Sequence, residues 1–140
     1  MYGKISILFL FGLVGVVFAQ RRQTIGVRGQ VMCNGRPMSG VQVKLWDEDT
    51  GPDPDDLMAQ GNTDANGRFQ LSGTESEMTN IDPRLKIYHT CDQGFNPCKR
   101  KVTFTIPSQY ISTSGNVQRW FDMGVLNLNT RFPDESRECF

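Results

Sequence analysis

Residues 85–106 read LKIYHTCDQGFNPCKRKVTFTI, two alternating runs joined through a pair of cysteines. Leu85 and Ile87 recur at every second position in the first run, as Val102 and Phe104 do in the second. Period-two alternation predicts two strands, each with an apolar and a polar face. Paired as an antiparallel hairpin, Leu85 stands opposite Phe104 and Ile87 opposite Val102. The same register sends Lys86 with Thr103, Tyr88 with Lys101 and Thr90 with Lys99 to solvent. A slip of one residue would bury lysines, so burial itself pins the pairing. Cys91 then faces Cys98 across the loop Asp92–Pro97, and a bridge between them is expected. Four cysteines allow three connectivities, and this one leaves Cys33 to join Cys139. On the chain-entropy model the short bridge contributes about 2.5 kcal/mol and the long one about 4.8.

Outward from this hairpin the pattern repeats. Ile25, Val27, Gly29, Val31 and Cys33 share one face of a first strand that ends at Asn34-Gly35-Arg36-Pro37. Val41, Val43 and Leu45 line a second, with Gln42, Lys44 and Trp46 opposite. Leu57 to Thr63 and Phe69 to Gly73 predict a hairpin closed by Ala65-Asn66-Gly67, with Leu57, Ala59, Gly61, Phe69 and Leu71 on its apolar face. Trp120 to Leu128 predicts a last strand, followed by a polar tail held by Cys139. By parity Trp46 and Trp120 fall at the rim. No segment keeps a 3.6-residue apolar period, so the expected fold is all-β, a disulfide-stapled sandwich of about seven strands.

Lys4, the apolar run Ile5–Phe18 and Val17-Phe18-Ala19 together predict a secretory signal peptide over residues 1–19 and one domain over 20–140. The run is too short for a membrane span. All four cysteines lie beyond it, which fits an oxidising, extracellular compartment. The whole chain carries 15 basic and 15 acidic residues, and removing Lys4 leaves it near neutral. Nonspecific nucleic-acid binding is not expected of such a chain.

GQVMC at 29–33, VQVKLWDEDTGPDPDD at 41–56, TDANGRF at 63–69, LKIYHTCDQGFNPC at 85–98 and FDMGVLNL at 121–128 together resemble the nematode transthyretin-like family of secreted proteins. The resemblance covers essentially the whole chain after residue 19. It implies a transthyretin-like, immunoglobulin-like sandwich, export from the cell, and no established enzymatic activity. The related urate-pathway hydrolases use several histidines and a C-terminal Tyr-Arg-Gly-Ser motif. This chain has one histidine and ends Arg137-Glu138-Cys139-Phe140, so that activity is not expected.

Asp47, Glu48, Asp49, Asp53, Asp55 and Asp56 fall within ten positions. Asp47 to Gly51 starts like a calcium loop, but the twelfth position is Met58, where such a loop needs a bidentate glutamate. The run is expected to be a solvated, proline-broken loop with no metal. His89 lies two residues before Cys91, about 6.6 Å along a strand, too far for a nucleophile–base hydrogen bond. It is expected beside Arg100 instead. No cofactor is expected.

The binding candidates are Lys86, Tyr88, Lys99, Arg100 and Lys101 on the hairpin and Phe95 at its tip. A cationic strand face beside an aromatic suits an anionic headgroup or an acidic partner. The expected role is a carrier or adaptor for an extracellular ligand: a lipid, a small hydrophobic molecule or a cell-surface protein. Recognition of anionic lipid through the hairpin and a structural homo-oligomer are the alternatives.

Overall fold

Residues 21–48 and 54–139 are described by the structure, a computed structural model. The segment read as a signal peptide and the middle of the acidic run lie outside them. Nine strands run through the described residues: β1 (Arg21–Cys33), β2 (Arg36–Pro37), β3 (Gln42–Asp47), β4 (Asp56–Asn62), β5 (Arg68–Glu77), β6 (Pro83–His89), β7 (Lys99–Thr105), β8 (Trp120–Asn127) and β9 (Ser136–Glu138). A 3₁₀ turn occupies Ser108–Tyr110.

One sheet is built on β1, which pairs antiparallel with β2 and β5 and parallel with β8. The other has the order β4-β3-β6-β7-β9, antiparallel throughout. Alternation decides what lies between them. Ile25, Val27 and Val31 meet Val43, Leu45, Leu85 and Ile87, all fully buried. Each such side chain stabilises the fold by roughly 1.5–3 kcal/mol before the entropy of ordering is counted. The β6–β7 register is the expected one, Leu85 with Phe104, Ile87 with Val102 and Tyr88 with Lys101.

The disulfides pair differently from the expectation. Cys91 joins Cys33 and Cys98 joins Cys139, with Cα–Cα separations of 5.8 and 4.1 Å. The expected pairs Cys91–Cys98 and Cys33–Cys139 do not form because the β6–β7 ladder stops at His89 and Arg100. Beyond it the chain satisfies its amides locally: the Cys91 N–H donates to His89 Nδ1 at 3.0 Å, and the Cys98 N–H to Asn96 Oδ1 at 2.9 Å. Such local bonds compete with the ladder. They leave Cys91 buried in the core, within reach of the end of β1. Cys98 meets the C-terminal strand instead, since Lys99 opposite Glu138 sets Cys98 opposite Cys139. One bridge therefore ties the two sheets together, and the other closes the edge of one sheet.

The segment expected as a β4–β5 hairpin turns a corner between sheets. The turn itself is present, with the Gly67 N–H donating to Asp64 O at 2.9 Å and the Asp64 N–H to Arg68 O at 3.0 Å. Buried Thr63, however, donates to Met38 O at 2.7 Å and accepts from the Val41 N–H at 3.0 Å, holding the end of β4 to β3. On the far side the Val31 N–H donates to Gly67 O at 2.8 Å, which commits the turn to β1. Glycines keep the two layers close: a Cβ on Gly73 would lie 2.8 Å from Met58 Cβ. An irregularity between Leu45 and Trp46 also shifts the β3–β4 register, so Leu57 pairs with Trp46 and points outward, 41% exposed, where inward burial was expected.

Candidate functional site

The outer face of the five-stranded sheet collects the side chains that alternation excludes from the core. Gln42, Lys44 and Trp46 come from β3, Arg84, Lys86 and Tyr88 from β6, and Lys99, Lys101 and Thr103 from β7. Register sets Gln42 beside Tyr88, Lys44 beside Lys86 and Tyr88 beside Lys101. Lysines and aromatics therefore alternate across the face. Lys44 Nζ lies 5.2 Å from the Tyr88 ring centroid and 6.0 Å from that of Trp46. Lys86 Nζ is 5.4 Å from Trp46, and Lys101 Nζ 5.9 Å from Tyr88. At such distances each contact contributes roughly 0.5–1 kcal/mol and holds an ammonium group in place. Burial, and then the negative charge of Glu138, raise the Tyr88 phenol above its usual range.

Not every cation on this face is free. Glu48 takes Lys86 at 3.2 Å and Arg84 at 3.7 Å, Asp82 takes Arg84 at 3.2 Å, and Glu138 takes Lys101 at 3.6 Å. Among the described residues, Lys44 and Lys99 have no carboxylate within ion-pair distance. Both line one concavity of about 390 Å³ together with Gln42, Tyr88, Pro97, Glu138 and Cys139. Phe95 stands two residues from Pro97 and is fully exposed at the tip of the loop. That loop is anchored by Asp92, whose carboxylate accepts from Asn129 at 2.5 Å and Asn34 at 3.3 Å. These bonds hold Asp92 below the usual carboxylate range. The Cys98–Cys139 bridge forms one wall of the concavity, so reducing it would disturb this face.

Lys86, Tyr88, Lys99 and Lys101 thus share one surface, with Phe95 on the loop at its end. Arg100, grouped with them on sequence, does not belong there. Its position in β7 is an inward one, and it is 1% exposed. Its guanidinium donates to Cys91 O and Leu128 O at 2.8 Å and to Thr130 O at 2.9 Å, and its Nε to Glu135 Oε1 at 2.5 Å. It is a structural hub that joins the cysteine loop, the end of β8 and the segment before β9. Burial alone would raise the Glu135 carboxyl, but the hydrogen bond and charge of Arg100 bring it below its usual range. Sequence missed Lys44 and Trp46 as members of the surface, because only the β3–β6 pairing brings them beside Tyr88.

His89 is Arg100's cross-strand neighbour, as expected, and is 2% exposed. Its Nδ1 accepts from the Cys91 amide, which places the proton of the neutral ring on Nε2. Burial and then the charge of Arg100 lower its pKa from 6.5 to about 4. The folded state therefore resists protonation between pH 6.5 and 4, whereas the unfolded chain takes the proton up. Stability is intact above pH 6.5 and falls by about 3 kcal/mol on acidification to pH 4. Depressed Glu135 acts in the same direction at lower pH. Urea unfolding across that range should show a His89→Gln variant losing less stability on acidification than the parent; parallel pH curves would refute the assignment.

Comparison with known proteins places the chain. A model described as the Transthyretin-like family matches residues 28–107. Transthyretin-like protein 33 of Caenorhabditis elegans is 47% identical over 137 residues, covering 96% of this chain and 94% of the relative. Transthyretin-like protein 5 of the same organism is 47% identical over 136 residues, covering 97% and 98%. Transthyretin-like protein 46 is 49% identical over 132 residues, covering 94% of this chain and 74% of the relative. With a family model spanning more than half its length and relatives matched nearly end to end, the chain belongs to the transthyretin-like family.

Proposed function

We propose that the chain is an extracellular binding protein, a carrier or adaptor, that takes an anionic ligand on the outer face of its five-stranded sheet. The observation that carries this reading is the position of Lys44 and Lys99, two cations without carboxylate partners among the described residues, beside Tyr88 in one concavity. An ammonium group that is not already neutralised costs less to transfer to a ligand carboxylate or phosphate than one in a salt bridge. Exposed Phe95 on its anchored loop supplies an apolar contact with little ordering entropy to lose. The N-terminal segment read as an export signal and two disulfides suit an oxidising compartment. Among the described residues no helix is long and apolar enough to cross a membrane.

An anionic lipid surface is the ligand this arrangement fits most directly. In a pelleting assay, vesicles of phosphatidylcholine with phosphatidylglycerol should retain the protein and pure phosphatidylcholine vesicles should not. Retention should fall as salt rises, because exposed charges are screened. A Lys44→Glu/Lys99→Glu variant should bind about tenfold less tightly or worse, each reversal acting on a juxtamembrane charge worth about 1 kcal/mol. The control reverses Arg36 and Arg68, both exposed on the other sheet. Equal binding by the Lys44/Lys99 variant and the parent would remove the proposal.

A second reading, self-association, rests on β5, ten residues long and, among the described residues, paired only with β1. A long edge of this kind is a template for a second strand. Sedimentation of the protein at micromolar concentration should show a dimer; a strict monomer removes this reading.

A further inference from the structure

The acidic run does not stand alone in the fold. Asp47 at the end of β3 and Asp56 at the start of β4 are direct cross-strand partners. Glu75 and Glu77, two positions apart on one face of β5, approach them from the opposite sheet. One carboxylate oxygen from each of the four lies within 4.8 Å of all the others. Like charges placed opposite each other are destabilising unless something offsets them. Among the described residues neither Asp47 nor Asp56 has an ion pair.

A second observation points at a ligand. Asp47 is 1% exposed, and among the described residues only one of its oxygens is satisfied: Oδ1 accepts from the Asp82 N–H at 2.8 Å, while buried Oδ2 has no hydrogen-bond partner. A buried carboxylate oxygen without a donor is costly, and buried charges in proteins are paired or coordinate metals. We propose that Asp47, Asp56, Glu75 and Glu77 bind a divalent cation of the calcium class, which clips the acidic-loop end of one sheet to the other. The donor set is oxygen alone, which suits a hard cation and disfavours zinc or copper. Calcium–oxygen bonds of about 2.3–2.6 Å put opposite ligands about 4.6–5.2 Å apart, so oxygens this close fit around a single ion. Four carboxylates also favour calcium over magnesium, which keeps most of its water and takes one or two. The calcium-loop template fails at Met58 because it looks for ligands within twelve residues, whereas this set is assembled across the sandwich.

Terbium, a luminescent calcium substitute, reports on the site through Trp46, the chain neighbour of Asp47. Titrating the full-length secreted protein should give tryptophan-sensitised terbium emission that calcium displaces and magnesium displaces far less effectively. Calcium should also raise the melting temperature of the parent. Asp47→Asn and, separately, Glu75→Gln should each weaken calcium binding about tenfold or more and abolish that rise. Glu75→Gln keeps the test valid where Asp47→Asn fails to fold. No sensitised emission and no calcium-dependent melting shift in the parent would overturn the proposal, as would binding unchanged in both variants.

Discussion

Replacing Arg100 with methionine is expected to destabilise the fold by about 3–5 kcal/mol, the range for removing one partner of a buried charge pair. The side chain has no contact with solvent to fall back on. Its loss leaves Glu135, itself only 12% exposed, without its counter-charge. It also leaves the carbonyls of Cys91, Leu128 and Thr130 without their donors. Each unsatisfied group costs about 1–3 kcal/mol. For a domain whose whole stability is about 5–15 kcal/mol, this is a large share. The urea midpoint should fall with little change in slope. Lys99→Met, one residue along on the exposed face, should stay within about 0.5 kcal/mol of the parent. Equal effects at the two positions would mean that Arg100 is not the hub described.

The second large effect belongs to the bridge between the sheets. Cys33 and Cys91 are separated by 58 residues in sequence, which on the chain-entropy model gives about 4 kcal/mol of stabilisation. Cys98 and Cys139, 41 residues apart, give about as much from entropy. The two differ in what they hold. Cys91 lies in the core and closes the gap between layers, so a Cys33→Ala/Cys91→Ala variant loses cross-linking and core packing together. Cys98→Ala/Cys139→Ala frees only β9 at a sheet edge, next to the lysine-lined concavity. The first variant should therefore unfold at lower urea than the second, and the second should lose vesicle binding before it loses its fold. Peptide mapping of the non-reduced protein should recover Cys33 with Cys91 and Cys98 with Cys139; a Cys91–Cys98 peptide would refute this connectivity.

Much of the fold was legible because a strand's side-chain period is two residues. That period placed Leu85, Ile87, Val102 and Phe104 in register and separated them from Lys86, Tyr88 and Lys101. It failed where the chain leaves the ladder. Cys91 follows the alternation in sequence, yet the bond from its amide to His89 Nδ1 ends the strand pairing before the cysteines meet. The turn at Asp64–Gly67 is written plainly in the sequence, but whether it folds one sheet back or passes to the next depends on Thr63 and Val31, which bond to distant carbonyls. Leu57 turns outward because of one register shift that no local pattern signals.

The candidate surface was legible in half. Its three contributing strands were each read correctly, and Tyr88, Lys86, Lys99 and Lys101 were placed on the proper face. Arg100 was misassigned because adjacency to Lys99 and Lys101 hid its inward parity. Lys44 and Trp46 were recognised as outward residues of their own strand, yet strand order, which makes them neighbours of Tyr88, is a long-range property.

The central claim is that ligand contact occurs on the five-stranded sheet. The two tryptophans separate the faces: Trp46 lies between Lys44 and Lys86 on that sheet, while Trp120 packs over Gly26 on the other. Fluorescence of Trp120→Phe and Trp46→Phe variants, each left with one tryptophan, can be followed during titration with phosphatidylglycerol vesicles. The Trp46-only protein should shift its emission on binding, and the Trp120-only protein should bind with its emission unchanged. A shift confined to Trp120 would contradict the assignment of the binding face.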